Sequence, residues 1–187
     1  DVIYKTSEEL KAILLETEVS EADFQKENEA VAITVAEALL NFGFDRITRS
    51  SIRKGLKTAY WPGRFEIVSR KPAVVLGGAH NGESMKAILS DVRKKFPKSK
   101  IIPVVGISQG KDWKRMSEAL AKVSPDWIAT EYQGERACPA RELNGKSMAA
   151  PVSKAIQLAK TMANPNDVIL VTGSLFLVGE AKQYVQN

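Results

Sequence analysis

From Trp61 onward the chain alternates short runs of aliphatic and β-branched residues with amphipathic stripes, and few folds accommodate that alternation. Strand-like runs fall at 65–69, 73–76, 101–107, 127–130 and 168–172. Between them, Met85, Ile88, Leu89, Val92 and Phe96 recur at helical spacing, as do Trp113, Met116, Leu120 and Val123, and again Val152, Ala155, Ile156 and Ala159. A further helix is expected over 175–185. Strands separated by helices pair in parallel, because the crossover needs a dozen or more residues, and such sheets are buried on both faces. The expectation is therefore an α/β domain of three layers, a Rossmann-like, mainly parallel sheet with helices on each side. Only Arg70-Lys71-Pro72 separates the first two runs, so 65–69 is expected as an antiparallel edge strand.

The first sixty residues read differently. Thr6 and Glu9 have the spacing of a capping box before Leu10, Ile13 and Leu14. Residues 26–42 carry Val31, Val35, Ala38, Leu39 and Phe42 on one helical face, with Gly43 as a stop, and Ser50 or Ser51 could open a third helix. The boundary is drawn near residue 60, giving a helical appendage over 1–60 and a main domain over 61–187. The appendage shows no core beyond its own stripes.

Composition narrows the function classes. At 44% hydrophobic and 26% charged, the 187 residues are ordinary for a globular protein. No run approaches the length of a membrane span, and the first residues lack the basic and apolar regions of a signal peptide. One cysteine, Cys138, and one histidine, His80, exclude an internal disulfide, a zinc site of several Cys and His ligands, and any triad with two histidines. A reducing, cytoplasmic setting is expected. The net charge of +5 suits anionic ligands. The basic clusters at 46–57 and 93–100 are read as solvated helix faces. They interleave no aromatic residues, so no nucleic-acid partner is expected.

The most informative loop is Gly77-Gly78-Ala79-His80-Asn81-Gly82, between a strand and a helix. Glycines there allow close approach of a phosphate or ribose, and a lone histidine could donate to a nucleotide. A tight turn capped by Asn81 accounts for the same residues. The loop is a poor dinucleotide fingerprint, since Ala79 replaces the second glycine. Gly145-Lys146-Ser147 imitates the end of a P-loop, but Ala140 stands where the first glycine belongs and Arg141-Glu142-Leu143 looks helical. Ser174, in Thr172-Gly173-Ser174, could cap a helix or hold a carboxylate or phosphate. Asp112 could be an N-cap and Lys111 an ordinary surface charge. Arg64 could be a solvated arginine at a strand start, or could reach a phosphate with its planar fork. Arg136 is a possible anion clamp, and Cys138 shows no sign of activation.

Trp61-Pro62-Gly63-Arg64-Phe65-Glu66, Gly78-Ala79-His80-Asn81, Gly110-Lys111-Asp112, Arg136-Ala137 and Thr172-Gly173-Ser174-Leu175-Phe176-Leu177 stand in an order and spacing that resembles folylpolyglutamate synthase / dihydrofolate synthase, of the Mur ligase superfamily. The resemblance covers essentially the whole chain. It implies that 61–187 is the C-terminal ligase domain and that 1–60, with Gln25-x-x-Asn28 and Gly55-Leu56, is the tail end of the central ATP-binding domain. It implies ATP and Mg²⁺ as cofactors, held mainly by the preceding part. The partners implied are L-glutamate and folate or dihydropteroate, together with the P-loop domain, which this chain lacks. Arg64 matches the arginine that reaches the ATP phosphates. Gly78, His80 and Asn81 match the nucleotide-contacting loop. Arg64 and His80 are thereby the catalytic candidates, Ser174 matches a glutamate-holding position, and no metal ligand falls in this chain.

The resemblance has departures. The family loop is usually Asp-Gly-Ala-His-Asn-Pro, but Gly77 and Gly82 stand at its acidic and proline positions. Gly110 replaces the first acid of a later Asp-Lys-Asp pattern, and Phe24 stands where the family often has His. With no P-loop and no Met at position 1, the chain is expected to be part of a longer ligase, inactive alone. The alternative is a non-catalytic, degenerate domain that lost its nucleotide contacts at Gly77 and Gly110.

Overall fold

The computed structural model describes residues 2–17 and 24–185. Asp1, residues 18–23 and the side chains of Phe24 and Gln25, two of the family positions above, lie outside the described residues. The chain divides into two compact units between Tyr60 and Trp61.

The first unit holds helices α1 (Val2–Glu9), α2 (Phe24–Asn41) and α3 (Arg49–Thr58). Two expectations are corrected here. The Thr6/Glu9 pair closes α1 rather than opening a helix. The Leu10 amide still donates to Thr6 O, then Lys11 turns left-handed at φ 51°, and Ile13 and Leu14 lie beyond the helix. Helix α3 starts one residue after Thr48, not at Ser50 or Ser51. Thr48 is its N-cap, and Ser51 is the reciprocal N3 partner, bonding the Thr48 amide at 2.9 Å. A serine three positions in has the same composition signal as a cap but a different task.

The second unit is the expected α/β domain. Its strands are β1 (Glu66–Arg70), β2 (Ala73–Gly77), β3 (Ile101–Val105), β4 (Ile128–Ala129), β5 (Ser147–Met148) and β6 (Val168–Thr172). They form one sheet in the order β1-β2-β6-β3-β4-β5. The β1 edge is antiparallel and the remaining pairs are parallel. Helices α4 (Gly82–Lys95), α5 (Trp113–Ala121), α6 (Val152–Met162) and α7 (Leu175–Val185) cover the two faces.

The period-2 geometry of strands explains the two cores. Val75, Ile101, Val105, Val168 and Leu170 point to one face and pack with Met85, Ile88, Leu89 and Val92 of α4 and Met116 and Leu120 of α5. Val74, Leu76, Ile102, Val104, Ile169 and Val171 point to the other, against Val152, Ile156, Leu177 and Val178 of α6 and α7. Each such side chain stabilises the fold by about 1.5–3 kcal/mol through burial. The segment 141–143, expected to be helical, is one 3₁₀ turn over Ala140–Glu142, and Ser147 of the Gly-Lys-Ser segment enters the short strand β5. Among the described residues no helix is long and apolar enough to cross a membrane.

Candidate functional site

In an open α/β sheet, ligands bind beyond the carboxyl ends of the strands where adjacent strands send their chains to opposite faces. Here that point is around β6. The chain leaving β2 enters α4 on one face, and so does the chain leaving β3 through α5. The chain leaving β6 enters α7 on the other face. Strand β6 lies between β2 and β3, so the loops 77–81, 106–112 and 172–174 open onto the same crevice.

The loop 61–65 joins them because the antiparallel register puts Glu66 opposite Leu76. Gly63 has φ +75°, and a Cβ there would lie 2.7 Å from Val178 Cγ1 of α7, so only glycine fits this turn. Its carbonyl accepts the Gly78 amide at 2.8 Å. That bond couples the loop carrying Arg64 to the loop carrying His80. Arg64 is exposed, and no ion pair is formed by it among the described residues.

Gly78 packs on α7, since a Cβ would meet Leu175 Cδ2 at 2.2 Å. His80 is exposed, with its amide donating to Ser84 Oγ at 3.0 Å. Its Nδ1 lies 3.1 Å from Gly78 O. A carbonyl only accepts, so Nδ1 carries the proton, and the neutral ring presents Nε2 as an acceptor. Asn81 caps α4: Oδ1 accepts the Ser84 amide at 2.8 Å and Ser84 Oγ reaches back to the Asn81 amide. Asp112 caps α5 through the Arg115 amide, and Lys111 is exposed.

Ser174 is buried, and its Oγ accepts the Phe176 amide at 3.2 Å. The turn needs Gly173, whose φ is +114° and whose Cβ would stand 2.5 Å from Gly106 O. Ser108 Oγ lies 3.5 Å from Ser174 Oγ and 2.7 Å from the Tyr132 hydroxyl. Tyr132 stacks on Phe176, and the Arg136 guanidinium sits over that same ring at 5.7 Å. Ser108 and Tyr132 escaped the sequence reading, and Phe176 stood there only as part of the Thr172–Leu177 motif. The one available signal was hydroxyls and aromatics a few residues beyond strand ends. The hydroxyls of Thr130 and Thr172, at the ends of β4 and β6, are buried without a partner among the described residues. An open cavity of about 690 Å³ adjoins Tyr132, lined also by Glu131, Gly134, Pro139 and Arg141.

Cys138 is half-buried, and burial, with the Glu142 carboxylate beside it, pushes its thiol up from the ordinary range, the opposite of activation. Among the described residues no group of three acidic, His or Cys side chains could hold a metal ion.

Residues 63–175 match the family described as Mur ligase, glutamate ligase domain. The dihydrofolate synthase/folylpolyglutamate synthase of Bacillus subtilis is 28% identical over 165 residues, covering 85% of this chain and 38% of that protein. Among solved structures, Escherichia coli FolC in complex with DHPP and ADP is similar with a TM-score of 0.72 and 28% identity, over 81% of this chain and 37% of that one. The Yersinia pestis bifunctional folylpolyglutamate synthase/dihydrofolate synthase complexed with AMPPNP and Mn ion gives 0.71 and 26%, over 82% and 38%. The chain thus spans less than two-fifths of the length of these relatives.

Proposed function

The chain belongs to the Mur ligase family as a glutamate ligase domain, and from that premise we propose that it is the C-terminal portion of an ATP-dependent ligase joining glutamate to folate or dihydropteroate. Residues 61–187 act as the ligase domain, and 1–60 are the tail end of the ATP-binding domain. The observation that carries this reading is the Gly78–Gly63 bond at the switch-point crevice, which makes the Arg64 and His80 loops one surface.

ATP would supply the γ-phosphoryl group to the acceptor carboxylate, leaving ADP and an acyl phosphate, and the amine of glutamate would attack the acyl carbon, forming the amide and releasing phosphate. The chain's own residues take defined parts. Arg64, which forms no ion pair among the described residues, offers two parallel N–H donors to phosphate oxygens. The Gly78 turn and the Asn81 cap hold His80 at the rim. Ser174 accepts from the Phe176 amide, and its own proton can go to Ser108 Oγ or to a carboxylate. The described residues do not fit Mg²⁺. Glu66 accepts from Gly63 and Lys182, Glu131 Oε2 from Ala140 and Glu180 Oε2 from Gln133, while Glu180 Oε1 is buried without a partner among the described residues, and no three acidic, His or Cys side chains there come together to hold an ion. No step is assigned to a metal in this chain.

The test uses purified chain. ADP is expected to shift amide resonances of residues 63–66 and 77–82. Arg64→Ala is expected to weaken ADP binding about tenfold or more, the worth of one charged contact. ATP with glutamate is expected to release no ADP. Turnover by this chain alone, or shifts confined to other surfaces, overturns the assignment.

One observation favours a second reading, a degenerate domain without ligase activity. Gly77 is buried, and a Cβ there would meet Ile88 Cδ1 at 2.7 Å and Cγ1 at 2.8 Å. The position where the family has an acid is filled by the α4 core. If an Asp at 77 tightens ADP binding, the contact was lost and the loop remains a nucleotide loop. If it only destabilises the fold, the second reading gains.

A further inference from the structure

We propose that Glu66 and Lys182 form a clamp that positions Arg64, so that the arginine's geometry depends on an ion pair that itself touches no ligand. The proposal rests on the reading of Arg64 as a phosphate contact.

Glu66 differs from the other paired acids of the chain. Its side chain is 9% exposed and that of Lys182 27%, whereas the Lys5–Glu9, Lys86–Glu83, Arg115–Asp112 and Lys146–Asp126 pairs join side chains at least 35% exposed. Both oxygens are engaged. Oε1 accepts Lys182 Nζ of α7 at 2.7 Å, and Oε2 accepts the Gly63 amide at 2.8 Å. The Gly63 carbonyl is held in turn by the Gly78 amide at 2.8 Å. The two peptide planes on either side of Gly63 are thus each tied down, one by Glu66 and one by the His80 loop. With Gly63 left-handed at φ +75°, these two bonds fix where the Arg64 Cα stands.

The next residue adds to the case. Phe65 is also left-handed, at φ 52°, an unusual conformation for a non-glycine residue. Arg64 is therefore flanked by two left-handed residues. Such backbone persists only where surrounding bonds over-determine it, and it clusters at functional sites. A carboxylate offers a separate oxygen to the backbone amide and to the lysine, and its charge makes both bonds shorter and stronger. Lys182 carries the clamp to α7, the helix that starts just beyond Ser174. Glu66 thereby ties the Arg64 loop to α7, while the His80 loop keeps its own bond, from the Gly78 amide to Gly63 O.

The experiment uses the 187-residue chain with ADP as the probe. Amide exchange at Gly63 and Gly78, and ADP affinity, are measured for Glu66→Ala, Glu66→Gln, Lys182→Met, Arg64→Ala and the Arg64→Ala/Glu66→Ala pair. Glu66→Ala is expected to speed Gly63 exchange about tenfold or more and to weaken ADP binding as far as Arg64→Ala does. The double variant should bind no more weakly than Arg64→Ala, because the clamp acts only through that arginine. Glu66→Gln keeps an acceptor oxygen for Gly63 and should recover much of the loss. Independent, multiplying losses in the double variant overturn the positioning role. If Arg64→Ala leaves ADP binding unchanged, or no ADP binds, the nucleotide reading fails while the clamp stands or falls on exchange. Unchanged Gly63 protection in Glu66→Ala sinks it. Should Glu66→Ala not fold, Lys182→Met carries the same two readouts.

Discussion

The two units of this chain use the same local rules and reach opposite ends of the burial scale. Each opens a helix with a reciprocal capping box, Thr48 with Ser51 in one and Asn81 with Ser84 in the other. Yet no described residue between 2 and 60 is buried, and Val35, Phe42 and Phe44 are more than half exposed. In residues 61–187 every position of β2, β3 and β6 is buried. Caps and periodicity write helices equally well in either place. What separates the units is a sheet, which gives each helix an apolar face to cover.

The contrast can be broken most sharply by truncating apolar side chains. Ile169→Ala, in the centre of β6, is expected to cost about 2–5 kcal/mol, and Val35→Ala in α2 no more than about 0.5 kcal/mol, both read by urea unfolding. Comparable losses would mean that the helical unit has a core after all. Next in size are the caps. Asn81→Ala should cost about 1 kcal/mol, read as a lower midpoint of the sheet unit's transition. Thr48→Ala should cost a similar amount but be read at the Ser51 amide, whose protection falls as α3 frays.

The smallest effect concerns pH. The hydrogen bond from Lys146, at 2.6 Å, holds the Asp126 carboxyl below the ordinary carboxylate range. A depressed carboxyl stabilises the fold above its unfolded pKa, and that contribution is lost as pH falls through the folded value. The pair is exposed to solvent, so the effect is slight. Melting temperatures of wild type and Lys146→Met should therefore differ little near neutrality and converge in acid. A difference that grows toward acid would contradict the sign.

Much of the fold was legible because its signals are contiguous. Residues 73–76 and 168–172 announce buried parallel strands, and the two-sided core follows from their alternation. Strand β5 was not legible, since two residues, Ser147 and Met148, carry no periodicity. The Thr6/Glu9 misreading has a similar origin: the pattern fits either end of a helix, and only the hydrogen bonds tell which. At the site, single residues such as His80 and Ser174 could be picked out by strand-end position. Their supports could not. Ser108 finds Ser174 across 66 positions, and Glu66 finds Lys182 across 116. Gly77 shows the reverse case, since the sequence marks a missing acid and the structure shows Ile88 against the position.

Strand β6 is the last of the described strands along the chain, yet it stands in the middle of the sheet. During synthesis, the β1-β2 hairpin and the β3-β4-β5 group therefore wait as two separate edges until residues 168–172 leave the ribosome. Each edge is a row of unpaired amides and carbonyls facing whatever strand comes near. Closing the sheet joins segments nearly a hundred positions apart, which makes folding slow and the half-made chain prone to aggregation. A stop codon before 168 would remove the one described strand that makes the two pieces a single sheet.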